Sequence, residues 1–238
     1  MIETEVRDDV RTVRLTRPER RNALTPAALD ELAAAIEDAD EPVVYLAGAG
    51  SAFCAGADLD AVADLDDEER ARAFARRGQR VARTIETAES AVVAGIDGAA
   101  RGGGVELALA CDVRVATPAA TFAEPGVTFG LFGAWGGTVR LPEVVGLGDA
   151  MDVALSGRVL DADEALRAGL VSRVVDEPYA VADELAGNDH AAVRAVKARL
   201  RDDADRETRE REEADAFAEL AVERAGTRNE DSRGREEN

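Results

Sequence analysis

Apolar and polar residues alternate over residues 2–7 and again over 10–15, with Asp8 and Asp9 between the two runs. Period-two alternation puts one side of each run on a core, so the pair predicts a hairpin. Thr25 then offers a side-chain cap, Pro26 suits the first helical position, and a helix is predicted over 26–39. The apolar run Val43-Val44-Tyr45-Leu46-Ala47 reads as a buried strand that leads into a glycine-rich loop, 48–59. Next come a charged helix near 67–88, a strand at 92–96, a helix opened by Gly102-Gly103-Gly104, and a strand at 113–116. Strands alternating with helices predict an α/β domain of repeated strand–strand–helix turns.

From about residue 145 the pattern becomes mostly helical. It ends in a charged helix near 205–225, where Ala214, Phe217, Ala218, Leu220 and Ala221 form an apolar stripe. The stripe suits packing on the chain's own core or on a neighbouring copy. A core over 1–180, a helical region over 181–225 and an unstructured polar tail over 226–238 follow as expectations.

The strongest chemical signal is Arg101 to Asp112, where three glycines open a helix and Glu106 stands in its first turn. Bare amides at a helix start attract negative charge. Such amides, aimed at a carbonyl oxygen with a carboxylate one turn away, can stabilise an enolate and move a proton. Close packing by the glycines and a dipole role for Glu106 form the plainer alternative.

Two segments carry a family resemblance. Phe53-Cys54-Ala55-Gly56-Ala57-Asp58-Leu59 and the stretch Gly102 to Asp112 resemble the signature blocks of the enoyl-CoA hydratase/isomerase, or crotonase, family. Arg17 to Leu24, Phe122 to Val127, Gly130 to Leu141 and Ala165 to Val175 are similar to further family elements in the same order. The resemblance covers about residues 2 to 200. It implies a crotonase-type ββα spiral core with a C-terminal helical region, assembled as a homotrimer or a dimer of trimers.

The family pattern also implies roles. The amides of Ala57 and Gly103 would form an oxyanion hole, and Glu106 would activate the water that adds to a 2-enoyl-CoA. Arg21, Ala23, Ala55, Asp58 and Leu59 fall where relatives line the coenzyme A channel. Gly126 falls at the acyl pocket, and Trp135 lies near that pocket, where it either shapes the pocket or simply packs in the core. Coenzyme A belongs to the substrate, so no separate cofactor is implied. One departure stands out: Gly126 occupies the position of the hydratases' second glutamate, and Ala134 that of the acid some isomerases use. Glu124 lies two residues earlier, on the same face of an extended segment. It reads first as a structural residue and otherwise as a stand-in acid. Hydration is therefore the default reaction. Isomerisation, thioester hydrolysis, decarboxylation and non-catalytic binding of a CoA ester are the alternatives.

Composition prunes other classes. Asp and Glu number 49 against 29 Lys and Arg, a formal charge of -20, which repels nucleic acid and anionic membranes. Lys197 is the sole lysine. Acid excess with so little lysine points to adaptation to high salt, where screening makes self-repulsion tolerable. A soluble acidic protein encoded by a GC-rich genome is the alternative. No basic-then-apolar leader opens the chain and no apolar run approaches spanning length, so a cytoplasmic location is expected. Cys54 and Cys111 lack metal-ligand spacing, and His190 is the sole histidine, in a polar segment. Neither a metal site nor a nucleophile–histidine system is therefore expected. Phe53 stands where a dinucleotide fingerprint needs glycine, and no Lys-Ser/Thr follows Gly104 to make a phosphate loop.

Overall fold

The computed structural model describes the backbone of residues 1–236 and the side chains of residues 1–225. The predicted hairpin forms as β1 (Ile2–Arg7) and β2 (Val10–Leu15), paired antiparallel with Asp8 in a left-handed turn. Thr25 caps α1 (Pro26–Glu37) by accepting from the Ala28 amide, and the helix buries Leu29, Leu32 and Ile36.

Successive strand–strand–helix turns follow. β3 (Val43–Gly48) and β4 (Ala52–Cys54) precede α2 (Leu59–Ala63) and α3 (Glu68–Thr87). β5 (Ala91–Ile96) and β6 (Ala99–Arg101) precede α4 (Gly103–Ala110). β7 (Val113–Ala116) and β8 (Thr121–Ala123) precede a 3-10 turn, Pro125–Phe129, and then α5 (Gly137–Ser156), which is kinked at Gly146. β9 (Leu160–Asp161), α6 (Ala162–Arg167), β10 (Arg173–Val174) and α7 (Tyr179–Ala186) complete the core.

In the three turns β3–β4, β5–β6 and β7–β8 the first strand enters a six-stranded sheet ordered β1-β2-β3-β5-β7-β10 and the second a four-stranded sheet ordered β4-β6-β8-β9. Both hairpin strands lie in the first sheet, and β9 and β10 divide between the second and the first. This is the ββα spiral that the resemblance implies. Parallel strands need cover on both faces, which is why β5 is apolar and buried throughout. Phe53, Phe122, Leu46 and Ile85 fill the core between sheets and helices.

The core extends past the expected boundary at 180, because α7 packs on it. Tyr179 meets Tyr45 edge to face at a centroid distance of 5.2 Å, and Val181 and Ala182 are buried. The compact unit is Met1–Ala186, and residues from Gly187 onward form a second unit. Within that second unit, Asp189 caps α8 (His190–Leu200), and α9 spans Arg206–Glu236 with Arg199 paired to Glu212. α9 continues past residue 225. The expected tail, 226–238, falls on positions whose side chains lie outside the described residues. Among the described residues no helix is long and apolar enough to cross a membrane.

Candidate active site

The turn at 17–24 and the loop at 48–58 are clamped by one side chain, Asn22. Its Nδ2 donates to the carbonyls of Ala49 (2.9 Å) and Ala52 (2.8 Å), and its Oδ1 accepts from the Arg17 amide (3.0 Å). Arg21 and Asn22 both adopt left-handed backbone angles, so the clamp holds a strained turn in place. Asn22 is 1% exposed, and its bond to the buried Ala52 carbonyl has no water to replace it. Asn22→Ala should therefore lower unfolding free energy by about 3 kcal/mol, measured by urea titration. A loss below about 1 kcal/mol would mean that those carbonyls find other donors.

Asp58 works in the same clamp. It caps α2 through the amides of Asp60 and Ala61 and pairs with Arg17. Burial alone would raise its pKa, but the Arg17 hydrogen bond and the two amides outweigh that and hold it below the usual carboxylate range. The sequence points to Asp58 as a channel residue, whereas the structure ties it into the loop's support. Arg21 is exposed, and burial first and the charge of Arg21 second lower the pKa of Arg101. Arg101 is itself anchored on Thr121 and the Ala100 carbonyl. Leu59 is exposed, Ala55 half-buried and Ala23 buried.

The two turns that supply the expected oxyanion-hole amides abut. Ala57 is bridged to Leu24, and Gly56 before it has φ +82°, with Gly103 so close that a β-carbon at 56 would fall 2.8 Å from the Gly103 nitrogen. Only glycine tolerates both the backbone angle and that approach. Gly103 is constrained from its other side, since a β-carbon there would lie 2.2 Å from the Trp135 ring. Trp135 lies in the packed interior. It is 3% exposed, wedged between Gly103 and Gly78 of α3, with Phe74 at a ring distance of 5.8 Å. Packed against Gly103, its ring acts as the spacer that sets the start of α4.

Glu106 sits in the first turn of α4, 2% exposed. Its Oε1 accepts from the amides of Trp135 (2.8 Å) and Gly137 (2.6 Å), and its Oε2 takes no hydrogen bond from the described residues. Burial raises the pKa of Glu106, while those amides and the charge of Arg140 pull it back. Arg140 is held in turn by Glu86 of α3. Next to Glu106 opens a cavity of about 250 Å³, walled mainly by apolar side chains such as Leu141, Met151 and Leu155, with Glu124 on its wall. Glu124 is 6% exposed.

Gly126 is closed off. A β-carbon there would meet the Phe132 Cα at 2.8 Å and the Leu131 carbonyl at 3.1 Å, so the chain itself blocks a side chain at the position of the hydratases' second acid. Sequence reasoning missed Asn22, Gly78 and Gly133 as site-shaping residues. A glycine in the middle of a charged helix, as at 78, was the available sign of close packing. Cys54 and Cys111 are free and buried. Among the described residues no cluster of His, Cys, Asp or Glu is arranged to hold a metal ion.

Comparison with known proteins agrees with this geometry. A family model described as enoyl-CoA hydratase/isomerase matches residues 5–230. The chain is 40% identical over 195 residues to a crotonyl-CoA hydratase of Syntrophomonas wolfei, covering 77% of this chain and 75% of that one. It is 39% identical over 172 residues to a short-chain-enoyl-CoA hydratase of Clostridium acetobutylicum, covering 70% and 66% of the two chains. The crystal structure of an enoyl-CoA hydratase from Thermoplasma volcanium superposes with a TM-score of 0.88 at 32% identity, over 93% of this chain and 92% of that one. With the spiral fold, the two abutting signature turns and the buried glutamate all in place, the chain belongs to the enoyl-CoA hydratase/isomerase family.

Proposed function

We propose that the protein adds water to a short 2-enoyl-CoA thioester to give the 3-hydroxyacyl-CoA. The observation that carries this reading is the buried Glu106 carboxylate, set one turn into a helix whose first amide belongs to the turn abutting Ala57. The amides of Ala57 and Gly103 polarise the thioester carbonyl and hold the enolate oxygen, each contributing on the order of 3 kcal/mol to the barrier reduction. Glu106 Oε2 takes a proton from water as the water oxygen bonds the β-carbon. Small cavity volume and apolar walls suit a short acyl chain, in keeping with the crotonyl and short-chain specificities in the relatives' names. Arg21, whose exposed guanidinium supports the role, meets a phosphate of coenzyme A, and no further cofactor takes part.

The reading includes a cytoplasmic homotrimer or dimer of trimers, active in high salt. Support for self-association comes from large apolar side chains left exposed on the core unit outside that cavity, among them Phe129, Leu131 and Val159. Support for salt tolerance is the charge of -20.

Crotonyl-CoA incubated with the purified protein in concentrated KCl should lose its conjugated enoyl absorbance. If absorbance holds steady while butyryl-CoA still raises the melting temperature, the protein binds CoA esters without hydrating them.

A further inference from the structure

A hydratase needs a proton for the α-carbon as well as a base for water, and the family position of that second acid is occupied here by Gly126. We propose that Glu124, on the other side of Pro125, is the proton donor that completes the reaction. The inference rests on the hydratase reading above.

Placement comes first. Glu124 follows directly on β8 and forms part of the cavity wall, in largely apolar surroundings. Its Oε1 is fully buried and has no hydrogen-bond partner. A buried carboxyl oxygen without a donor is costly to ionise, so such a group keeps its proton until a substrate accepts it.

Glu124 also faces Glu106. A β-carbon at Gly133 would lie 2.9 Å from Glu106 Oε1 and 3.0 Å from Glu124 Oε2, so the two carboxyls flank one small notch that the absent side chain leaves open. The blocked position at 126 and the open notch at 133 are complementary. The chain closes over the place where the usual acid stands and opens a path between Glu106 and Glu124.

The surroundings divide the roles. Burial raises Glu106 too, but its two amide hydrogen bonds and the charge of Arg140 oppose that rise. Glu124 receives no such bond, and burial together with the charge of Glu106 pushes it up to about 8. The amide donors on Glu106 and their absence at Glu124 divide the pair into a base, Glu106, and an acid, Glu124.

The step balances. A water O–H bond breaks and its proton goes to Glu106 while the oxygen bonds the β-carbon. The π pair then forms the enolate, whose oxygen the two amides hold. The O–H bond of Glu124 breaks next and its proton bonds the α-carbon. Transfer of the proton from Glu106 to Glu124 across the notch restores the pair.

Three measurements on Glu124→Gln and the wild type test this. The variant should lose about 100- to 10,000-fold in kcat on crotonyl-CoA while keeping the butyryl-CoA-induced rise in melting temperature. Wild-type turnover should fall on the alkaline side as Glu124 ionises, with a midpoint near 8, and this limb should vanish in the variant. Finally, since the folded-state pKa of Glu124 is raised above 4.5, the stability it contributes is complete below that value and is lost as pH rises through about 8. Glutamine escapes the loss, so the variant should gain in melting temperature relative to the wild type between about pH 5 and about pH 9.

Turnover within about threefold of the wild type, or an alkaline limb that persists in the variant, overturns the proposal. Should the variant fail to fold, wild-type turnover that stays flat from about pH 6 to about pH 10 overturns it as well. If the wild type does not hydrate crotonyl-CoA, the hydratase reading fails separately. Exchange of the α-protons of butyryl-CoA in heavy water then decides the role of Glu124: loss of exchange in Glu124→Gln supports it, and retained exchange, or none in the wild type, overturns it.

Discussion

Replacing Glu106 by glutamine should reduce turnover of a 2-enoyl-CoA by about 100- to 10,000-fold, the usual contribution of a positioned base. Glutamine keeps the side chain's length and an acceptor oxygen, so the amides of Trp135 and Gly137 can still bond it and the turn after residue 134 should hold. What disappears is the negative charge. Binding of butyryl-CoA, read as a rise in melting temperature, should therefore survive while kcat falls. Loss of the charge has a second consequence, because the field of Glu106 is one of the causes that raise Glu124. In the variant Glu124 should ionise at lower pH, moving the alkaline fall of any residual activity to more acidic values. A Glu106→Gln protein with kcat within about threefold of the wild type would remove Glu106 from the chemistry.

Much of this site could be read from residue order, and the reason is local. Alternation over 2–15, the Thr25-Pro26 start and the apolar run at 43–47 depend on near neighbours, so the hairpin, α1 and β3 lie where the pattern predicts. The glycine run is local too, and α4 begins at Gly103 with Glu106 in its first turn. Three features depend on contacts between distant segments and could not be read. Asn22 earns its place through carbonyls about thirty residues away. Trp135 could be placed near the acyl pocket but not assigned to its wall or to the core, because the small residues that receive it, Gly78 and Gly103, come from two other helices. Glu124 could be read as a stand-in acid from its place two residues before Gly126, but its approach to Glu106 across Gly133 could not, because it depends on how separate segments pack. The core boundary fell short by one helix for the same reason, because α7 is tied to the sheet through Tyr45, far earlier in the chain.

Gly103→Ala should be nearly as damaging as removing the base, although it deletes no functional group. A methyl at residue 103 would overlap the Trp135 ring at 2.2 Å, far inside van der Waals contact, so either the start of α4 or the ring has to move. Trp135 has little freedom, since Gly78 and Phe74 hold its other side and its own amide is bonded to Glu106. The helix start therefore shifts, and with it the Gly103 amide to which the proposed mechanism gives the developing oxyanion. Loss of one such donor costs about 100- to 1,000-fold in kcat, and overpacking should lower stability by about 1–3 kcal/mol. A steric cause makes a further demand: shrinking the ring should return part of what the methyl removes. Trp135→Leu by itself leaves a void and destabilises. Combined with Gly103→Ala, it should yield a protein whose kcat exceeds that of the single Gly103→Ala variant, a coupling that a double-mutant cycle on kcat/KM and on urea unfolding reads directly. Strictly additive losses would mean that the methyl acts through the backbone conformation at 103 and that Trp135 is no spacer.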